Sequence, residues 1–272
     1  MDFDTTKHDA ETPERIAWRK HLNSFPYKET NCADMRIDYQ SPDTPELIHI
    51  SEKFPVKEHY NGNTDLEKIL TLMGYVHNIA SKGGNNTSPA IKNTKEIMKA
   101  AKIGTLWCRD YATVLSEMLL CMGVKAVPVS CLPFKFDYDR HVGVMAYVNE
   151  FEKWVFFDPT FNTYFYDNAP MDVFEIRSAY AHGKAPAFRH IAIQKDWVLT
   201  LHGVEYDDYD SWYSDYMLKN IFRFSIPLHS AYGCQNPDSK TVCILPIGYT
   251  ARNEYDTSNT VYTFDCGCIL QS

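Results

Sequence analysis

No stretch of this chain approaches the roughly 20 consecutive apolar residues that a membrane-spanning helix needs. The opening run Met1-Asp2-Phe3-Asp4-Thr5-Thr6-Lys7 is polar and lacks the apolar core of a secretory signal. A basic cluster is also missing. With 27 Lys+Arg against 35 Asp+Glu the formal net charge is −8, so the chain shows no electrostatic footprint for nucleic acid or an anionic membrane. Metal-ligand spacing is absent as well. Cys266-Gly267-Cys268, even with Cys234 and Cys243, contains no Cys-x-x-Cys pair, and His182, His190, His202 and His229 have no spacing that sets two on one helix face. No metal and no cofactor are expected. Eight cysteines spread over 272 residues do not make a small disulfide scaffold; they fit a reducing compartment, and the expected location is cytoplasmic. Internal repeats and low-complexity segments do not occur. What remains is an ordinary globular composition, 44% apolar and 23% charged, long enough for one large domain or two small ones with a substantial core.

Residues 1–60 carry the weakest pattern. Glu14 to Leu22 reads as a short amphipathic helix behind Pro13. Pro26, Pro42, Pro45 and Pro55 then suggest loop with short extended pieces. From Thr64 the signal sharpens. Thr64 and Glu67 have capping-box spacing, and Leu66, Ile69, Leu70, Met73, Val76, His77 and Ala80 follow at helical intervals. Thr94 to Ala101 reads as a second helix. A third starts near Cys108, with Ala112, Leu115, Met118, Leu119 and Met122 as its apolar stripe and Gly123 as its stop. Val124 to Val129 reads as a buried strand, and Val142, Val144, Ala146 and Val148 alternate with Gly143, Met145 and Tyr147 as a second. Trp154-Val155-Phe156-Phe157 is a third strand, stopped by Asp158-Pro159. Met171 to Ala179 looks helical, and Val242 to Leu245 with Val261 to Phe264 look like a final strand pair.

Three residues stand at the edges of these elements: Cys108 opens a helix, His141 opens a strand and Asp158 closes the next strand. A thiol nucleophile, its base and the base's orienter need such positions. A turn centred between Asn149 and Glu150 would set His141 directly opposite Asp158, within reach of a side-chain hydrogen bond; an odd-length loop would shift that register. At a helix start, free amide groups and the positive end of the dipole favour a thiolate, and the Cys108 amide is a natural oxyanion donor. A cysteine in a helix is ordinarily a small buried hydrophobe, and that reading is kept for Cys32, Cys121, Cys131, Cys234, Cys243, Cys266 and Cys268. The joint placement of the three separates Cys108 from them. Tyr206, Tyr209, Trp212, Tyr213 and Tyr216, interleaved with Asp207, Asp208, Asp210 and Asp215, are read as a cover over the core rather than a binding wall. Ser81 to Thr87 and Cys131 to Arg140 bracket the three residues and are expected to contact substrate.

The segments Trp107-Cys108-Arg109-Asp110-Tyr111-Ala112, His141 opening a valine-rich strand, and Trp154-Val155-Phe156-Phe157-Asp158-Pro159-Thr160 resemble, in that order, the three motifs of transglutaminase-like proteins. The likeness covers roughly residues 64–180, and the helix with Tyr75-Val76-His77-Asn78 is similar to the one preceding the nucleophile in bacterial members. It implies an α+β fold of the papain-like kind, with the nucleophile helix packed on an antiparallel sheet. It further implies acyl chemistry through a thioester, with Cys108 as nucleophile, His141 as base and Asp158 as orienter. Members often use an upstream Trp or Gln at the oxyanion; the stand-ins in this chain are Trp107, His77 and Asn78. No calcium-site pattern of the crosslinking members and no zinc-binding Cys pairs of the glycan-removing members occur, which argues against those two activities.

The expected organisation is an N-terminal extension packed on the core (1–60), a catalytic core (61–180) and a C-terminal part of the same domain (181–272). The expected function is a cysteine-dependent enzyme acting on a peptide, amide or acyl-donor substrate, chiefly by hydrolysis. The alternatives are an amide-forming acyltransferase of secondary metabolism and, in another class, an inactive binding module. Nothing in the sequence indicates an oligomeric state.

Overall fold

The structure is a computed structural model that describes residues 11–27, 37–80, 84–135, 137–191, 209–250 and, for the backbone, 260–263. In chain order the elements are α1 (Pro13–Ser24), β1 (Asp38–Tyr39), α2 (Pro45–Lys53), α3 (Val56–His59), α4 (Asp65–His77), α5 (Thr94–Ala100), α6 (Cys108–Cys121), β2 (Ala126–Leu132), β3 (His141–Val148), β4 (Lys153–Asp158), β5 (Thr163–Asp167), β6 (Ala169–Pro170), α7 (Val173–Ala181), β7 (Ala187–His190), α8 (Tyr209–Asn220), β8 (Arg223–Pro227), β9 (His229–Ser230), β10 (Thr241–Ile244) and β11 (Thr260–Thr263). The fold is mixed α+β.

Local chemistry sets the helix starts. Thr12 accepts the Arg15 N–H at 3.2 Å, Thr64 accepts the Glu67 N–H at 3.2 Å, and Asn93 accepts the Glu96 N–H at 3.0 Å. The proline-rich stretch read as loop contains two helices, α2 and α3. Pro45 occupies the first turn of α2, where an amide hydrogen is not needed. Leu47 and Ile50, three apart on one face, are fully buried, and α2 packs on α6. Prolines thus punctuate this segment by starting helices as well as by breaking them.

The strands form a largely antiparallel sheet in the order β11-β10-β8-β2-β3-β4-β5-β6, with β7 also pairing with β5; β1 and β9 make a separate two-stranded pair. The expected final strand pair forms, and its two strands run parallel. Period-two alternation gives the sheet two apolar faces. Val142, Val144, Ala146, Val155 and Phe157 face the helices α2, α4, α5 and α6. Met145, Trp154 and Phe156 face the opposite layer, with Ile176 and Tyr180 of α7 and Tyr213 and Met217 of α8.

Helix α6 lies in the middle of its layer, against β2 and β3 on one side and α2, α4 and α5 on the others. Every residue from Asp110 to Leu120 is buried. Burying each large apolar side chain there contributes about 1.5–3 kcal/mol, so the helix axis is held firmly and its first residue is positioned with it. Two carboxylates share this interior. Glu117 accepts the Thr94 N–H at 2.8 Å and the Gly233 N–H at 2.8 Å, tying the start of α5 and the loop after β9 to α6. Burial pushes its carboxyl up to about 7, against the downward pull of those two amides.

Glu117→Gln keeps the shape and supplies one oxygen where two amides need acceptors. The variant is expected to lose about 1–3 kcal/mol in urea unfolding, with Glu117→Leu losing more; equal stability of all three proteins would contradict this account.

Candidate active site

The hairpin β3–β4 brings the first pair of residues together. Val148 pairs with Lys153 and Val144 with Phe157, so four residues, 149–152, make the turn, with Glu152 in the left-handed region at φ 51°. The turn centre falls one residue later than expected. Continuing the register sets Asp158 level with Gly143, so His141 lies diagonal to Asp158 rather than opposite. Because the shift is two positions in register, both side chains stay on one face. The imidazole spans the diagonal, and His141 Nε2 lies 2.7 Å from Asp158 Oδ2 with both side chains fully buried.

Asp158 is saturated with donors. Its Oδ1 accepts the N–H groups of Thr160 at 3.1 Å and Phe161 at 3.2 Å, and its Oδ2 also accepts the Tyr213 hydroxyl at 2.8 Å. The His141 ring lies between Phe161 and Tyr216, each with its ring centroid 5.4 Å away. Burial pushes the His141 pKa down; the Asp158 carboxylate and the Cys108 thiol outweigh it and raise the pKa to about 10. The second ring nitrogen, Nδ1, is buried and, among the described residues, makes no hydrogen bond of normal geometry.

Cys108 comes from the other layer, at the first position of α6. Its Sγ is turned toward the Arg140 carbonyl at 3.9 Å, a loose contact over the peptide that leads into His141. The Tyr216 hydroxyl donates to the same carbonyl at 3.3 Å. The helix start is braced by Asp110, whose Oδ2 accepts the Trp107 N–H at 2.9 Å and whose Oδ1 takes the Lys92 ammonium at 2.8 Å. Among the described residues the N–H groups of Cys108 and Arg109 donate to no acceptor, as first-turn amides do unless something outside the helix accepts from them.

These groups wall a cleft of 520 Å³ lined by Trp107, Cys108, Tyr138, Asp139, His141 and Tyr216 among others. Trp107 is 56% exposed at its rim. The segment from Cys131 to Arg140 supplies three of the walls, where sequence placed substrate contacts, although Cys131 and Leu132 are part of β2. In the other expected loop, Ser81 to Gly83 lie outside the described residues; Gly84 to Thr87 are not among the cleft's lining residues, and the Thr87 N–H donates to the Thr105 carbonyl at 2.8 Å.

Two of the oxyanion stand-ins, His77 and Asn78, are not among the cleft's lining residues. His77 is fully buried, and its Nδ1 lies 3.2 Å from the Pro159 carbonyl and 3.1 Å from that of Thr160, so it clamps the turn that follows Asp158. Asn78 is exposed and turned back onto its own helix, donating to the Gly74 carbonyl at 2.8 Å. Both lie outside the cleft wall because α4 presents that end to the turn.

The aromatic cluster does more than cover the core. Tyr209, Tyr213 and Tyr216 stand on one face of α8. Tyr213 reaches Asp158, and Tyr216 forms a wall of the cleft. Their i, i+4, i+7 spacing was the available signal; the strand end they meet was not readable. Tyr206 to Asp208 lie outside the described residues.

Burial raises the thiol pKa of Cys121 to about 12 and of Cys234 to about 12, and pushes that of Cys131 well up, with Asp158 and Cys108 adding to the rise. Among the described residues no three His, Cys, Asp or Glu side chains are grouped to hold a metal, and no helix is long and apolar enough to cross a membrane. Cys266 and Cys268 lie outside the described residues. No protein-family model, no curated protein and no solved structure matches this chain.

His141 is expected to titrate above the ordinary value of 6.5 in nitrogen NMR of the Cys108→Ala protein, and Asp158→Asn should bring it down sharply. The sign follows from linkage: a raised folded-state pKa stabilises the fold below the unfolded value, and that stabilisation fades as pH rises toward the folded one. An unshifted histidine that ignores Asp158→Asn would refute the pairing. Tyr213→Phe removes one donor from a buried carboxylate and should cost about 1.5–3 kcal/mol in urea unfolding; a neutral substitution would show that the contact carries no weight.

Proposed function

We propose that this protein is a cysteine-dependent acyl-transfer enzyme of the transglutaminase-like, papain-like kind, which acts on a peptide or amide through a thioester and passes the acyl group to water. The observation that carries this reading is a buried imidazole held through Nε2 by a saturated carboxylate, with the thiol at an open helix start close enough to raise that imidazole's pKa.

The roles follow from which atoms are engaged. Asp158 fixes Nε2–H and so leaves Nδ1 as the nitrogen that moves protons. An imidazolium beside Cys108 is the electrostatic partner that a thiolate needs. Rotation of the cysteine side chain away from the Arg140 carbonyl would aim Sγ at the cleft, and resting geometry of this loose kind commonly tightens when substrate binds. Sγ attacks the acyl carbon, a C–S bond forms, and the carbonyl electron pair moves to oxygen. The free amides of Cys108 and Arg109 at the positive end of α6 stabilise that charge. Collapse breaks the C–N bond, and the departing amine takes the proton from Nδ1. Water then enters, gives its proton to Nδ1 and attacks the thioester; the acid leaves and the thiolate returns. An amine in place of water would make the same site an amide-forming transferase.

The direct test is mass spectrometry of the intact protein with amide and activated-ester donors. A donor-sized mass gain confined to Cys108, lost in Cys108→Ala and greatly slowed in His141→Ala, is the expected result. Added amine that diverts product into a new amide would assign transfer; release of free acid despite the amine would assign hydrolysis. Iodoacetamide should label Cys108 faster than Cys121, Cys131, Cys234 and Cys243. Uniformly slow labelling without any acyl adduct would leave a binding module as the reading.

A further inference from the structure

A second cavity, of 200 Å³, adjoins the cleft, and Arg109 and Arg140 line both. Its remaining walls include Ser130 and Ser225, which are direct partners across β2 and β8, with Asn236 and Thr241 beside them. The Ser130 and Ser225 hydroxyls and the Arg109 guanidinium have no hydrogen-bond or ionic partner among the described residues. Among the described residues no Asp or Glu lines this cavity, in a chain whose net charge is −8. Acids near it have partners of their own: Asp139 is bonded to the Lys219 ammonium at 2.9 Å and Asp110 to that of Lys92 at 2.8 Å, and Asp238, between the lining residues Pro237 and Ser239, is engaged as well. The wall is also braced, since the Asn236 side-chain oxygen accepts the Lys92 N–H at 2.7 Å and the Gly233 amide is held by Glu117. An unneutralised guanidinium with rigid hydroxyls around a small concavity suits one ligand chemistry, an anionic oxygen group.

We propose that this cavity is an anion subsite, and that acyl donors of Cys108 carry a carboxylate or phosphate that docks on Arg109 against the Ser130 and Ser225 hydroxyls. A volume of 200 Å³ is ample for a carboxylate or phosphate with a short chain attached. Because Arg109 follows Cys108 directly in α6, the helix that would activate the sulfur would also position the anchor. This inference rests on Cys108 as nucleophile, and its test needs only a thiol that reacts, not an acyl-enzyme.

The test compares Cys108 modification by neutral N-ethylmaleimide with that by 3-maleimidopropionate and 6-maleimidohexanoate, each rate normalised to N-acetylcysteine. The expected result is a normalised preference of at least fivefold for one carboxylate reagent. That preference should collapse toward one in Arg109→Gln and survive in part in Arg109→Lys, which retains the charge. Competition distinguishes the two anion sources: suppression of the preference by glutarate assigns a carboxylate site, and suppression by inorganic phosphate assigns a phosphate site. A normalised ratio near one at both tether lengths, or a preference unchanged in Arg109→Gln, would overturn the subsite and leave the thioester chemistry standing. Absence of any acyl adduct on Cys108 alongside an Arg109-dependent preference would do the reverse.

Discussion

A carboxylate and an imidazole that are both removed from water govern this architecture. Burying an ion pair costs several kcal/mol per charge unless the remaining lone pairs are satisfied. Asp158 meets that condition with four contacts, two from the turn it begins, one from His141 and one from Tyr213. Each supplier belongs to a different part of the fold. The turn is clamped by His77 of α4, His141 begins the neighbouring strand, and Tyr213 arrives on α8 from 55 residues away. The pair therefore draws both layers of the molecule to one end of the sheet, and a cleft forms where they meet.

The sulfur is subject to a different constraint. It must stay partly open while the helix behind it is immobile. Burial of α6 along nearly its whole length satisfies the second requirement, and Asp110 with Lys92 satisfies the first, because their ion pair braces the helix start without covering Cys108. Removing Lys92 would strand the fully buried Asp110 carboxylate at a cost of about 3–5 kcal/mol. Lys92 neutralises Asp110, so the acid that braces this end does not cancel the two first-turn amides, which among the described residues have no acceptor. The same few atoms thus hold the helix end together and bias its field toward anions.

Much of this was legible in the sequence, and the unreadable part has identifiable causes. Alternation in Val142 to Val148 and the Asp-Pro stop defined both strands of the hairpin, and parity alone put His141 and Asp158 on one face. The diagonal offset depended on a four-residue turn with Glu152 in the left-handed region, which Asn149-Glu150 does not announce. The capping spacing at Thr64 marked α4, yet the role of His77 turned on the rotation of that helix against the Pro159 turn. Prolines hid α2, because Pro45 reads identically as a breaker and as a first-turn residue until Leu47 and Ile50 are seen to have a partner. Tyr213 and Tyr216 were visible as an aromatic face with no address.

The contrast between two neighbouring cysteines shows what the address is worth. Cys131 pairs directly with His141 across β2 and β3, closer in the sheet to the imidazole than any sequence argument would place Cys108. It is nevertheless wholly buried, and burial, with Asp158 and Cys108 adding, drives its thiol pKa well up. Proximity to a histidine is thus not enough to make a nucleophile. The sulfur also needs a helix start whose amides have no other acceptor and a path to solvent, and in this fold only the first residue of α6 is shown with that combination among the described cysteines. The proposed chemistry is in this sense a property of the helix end, to which the buried pair would supply a proton relay.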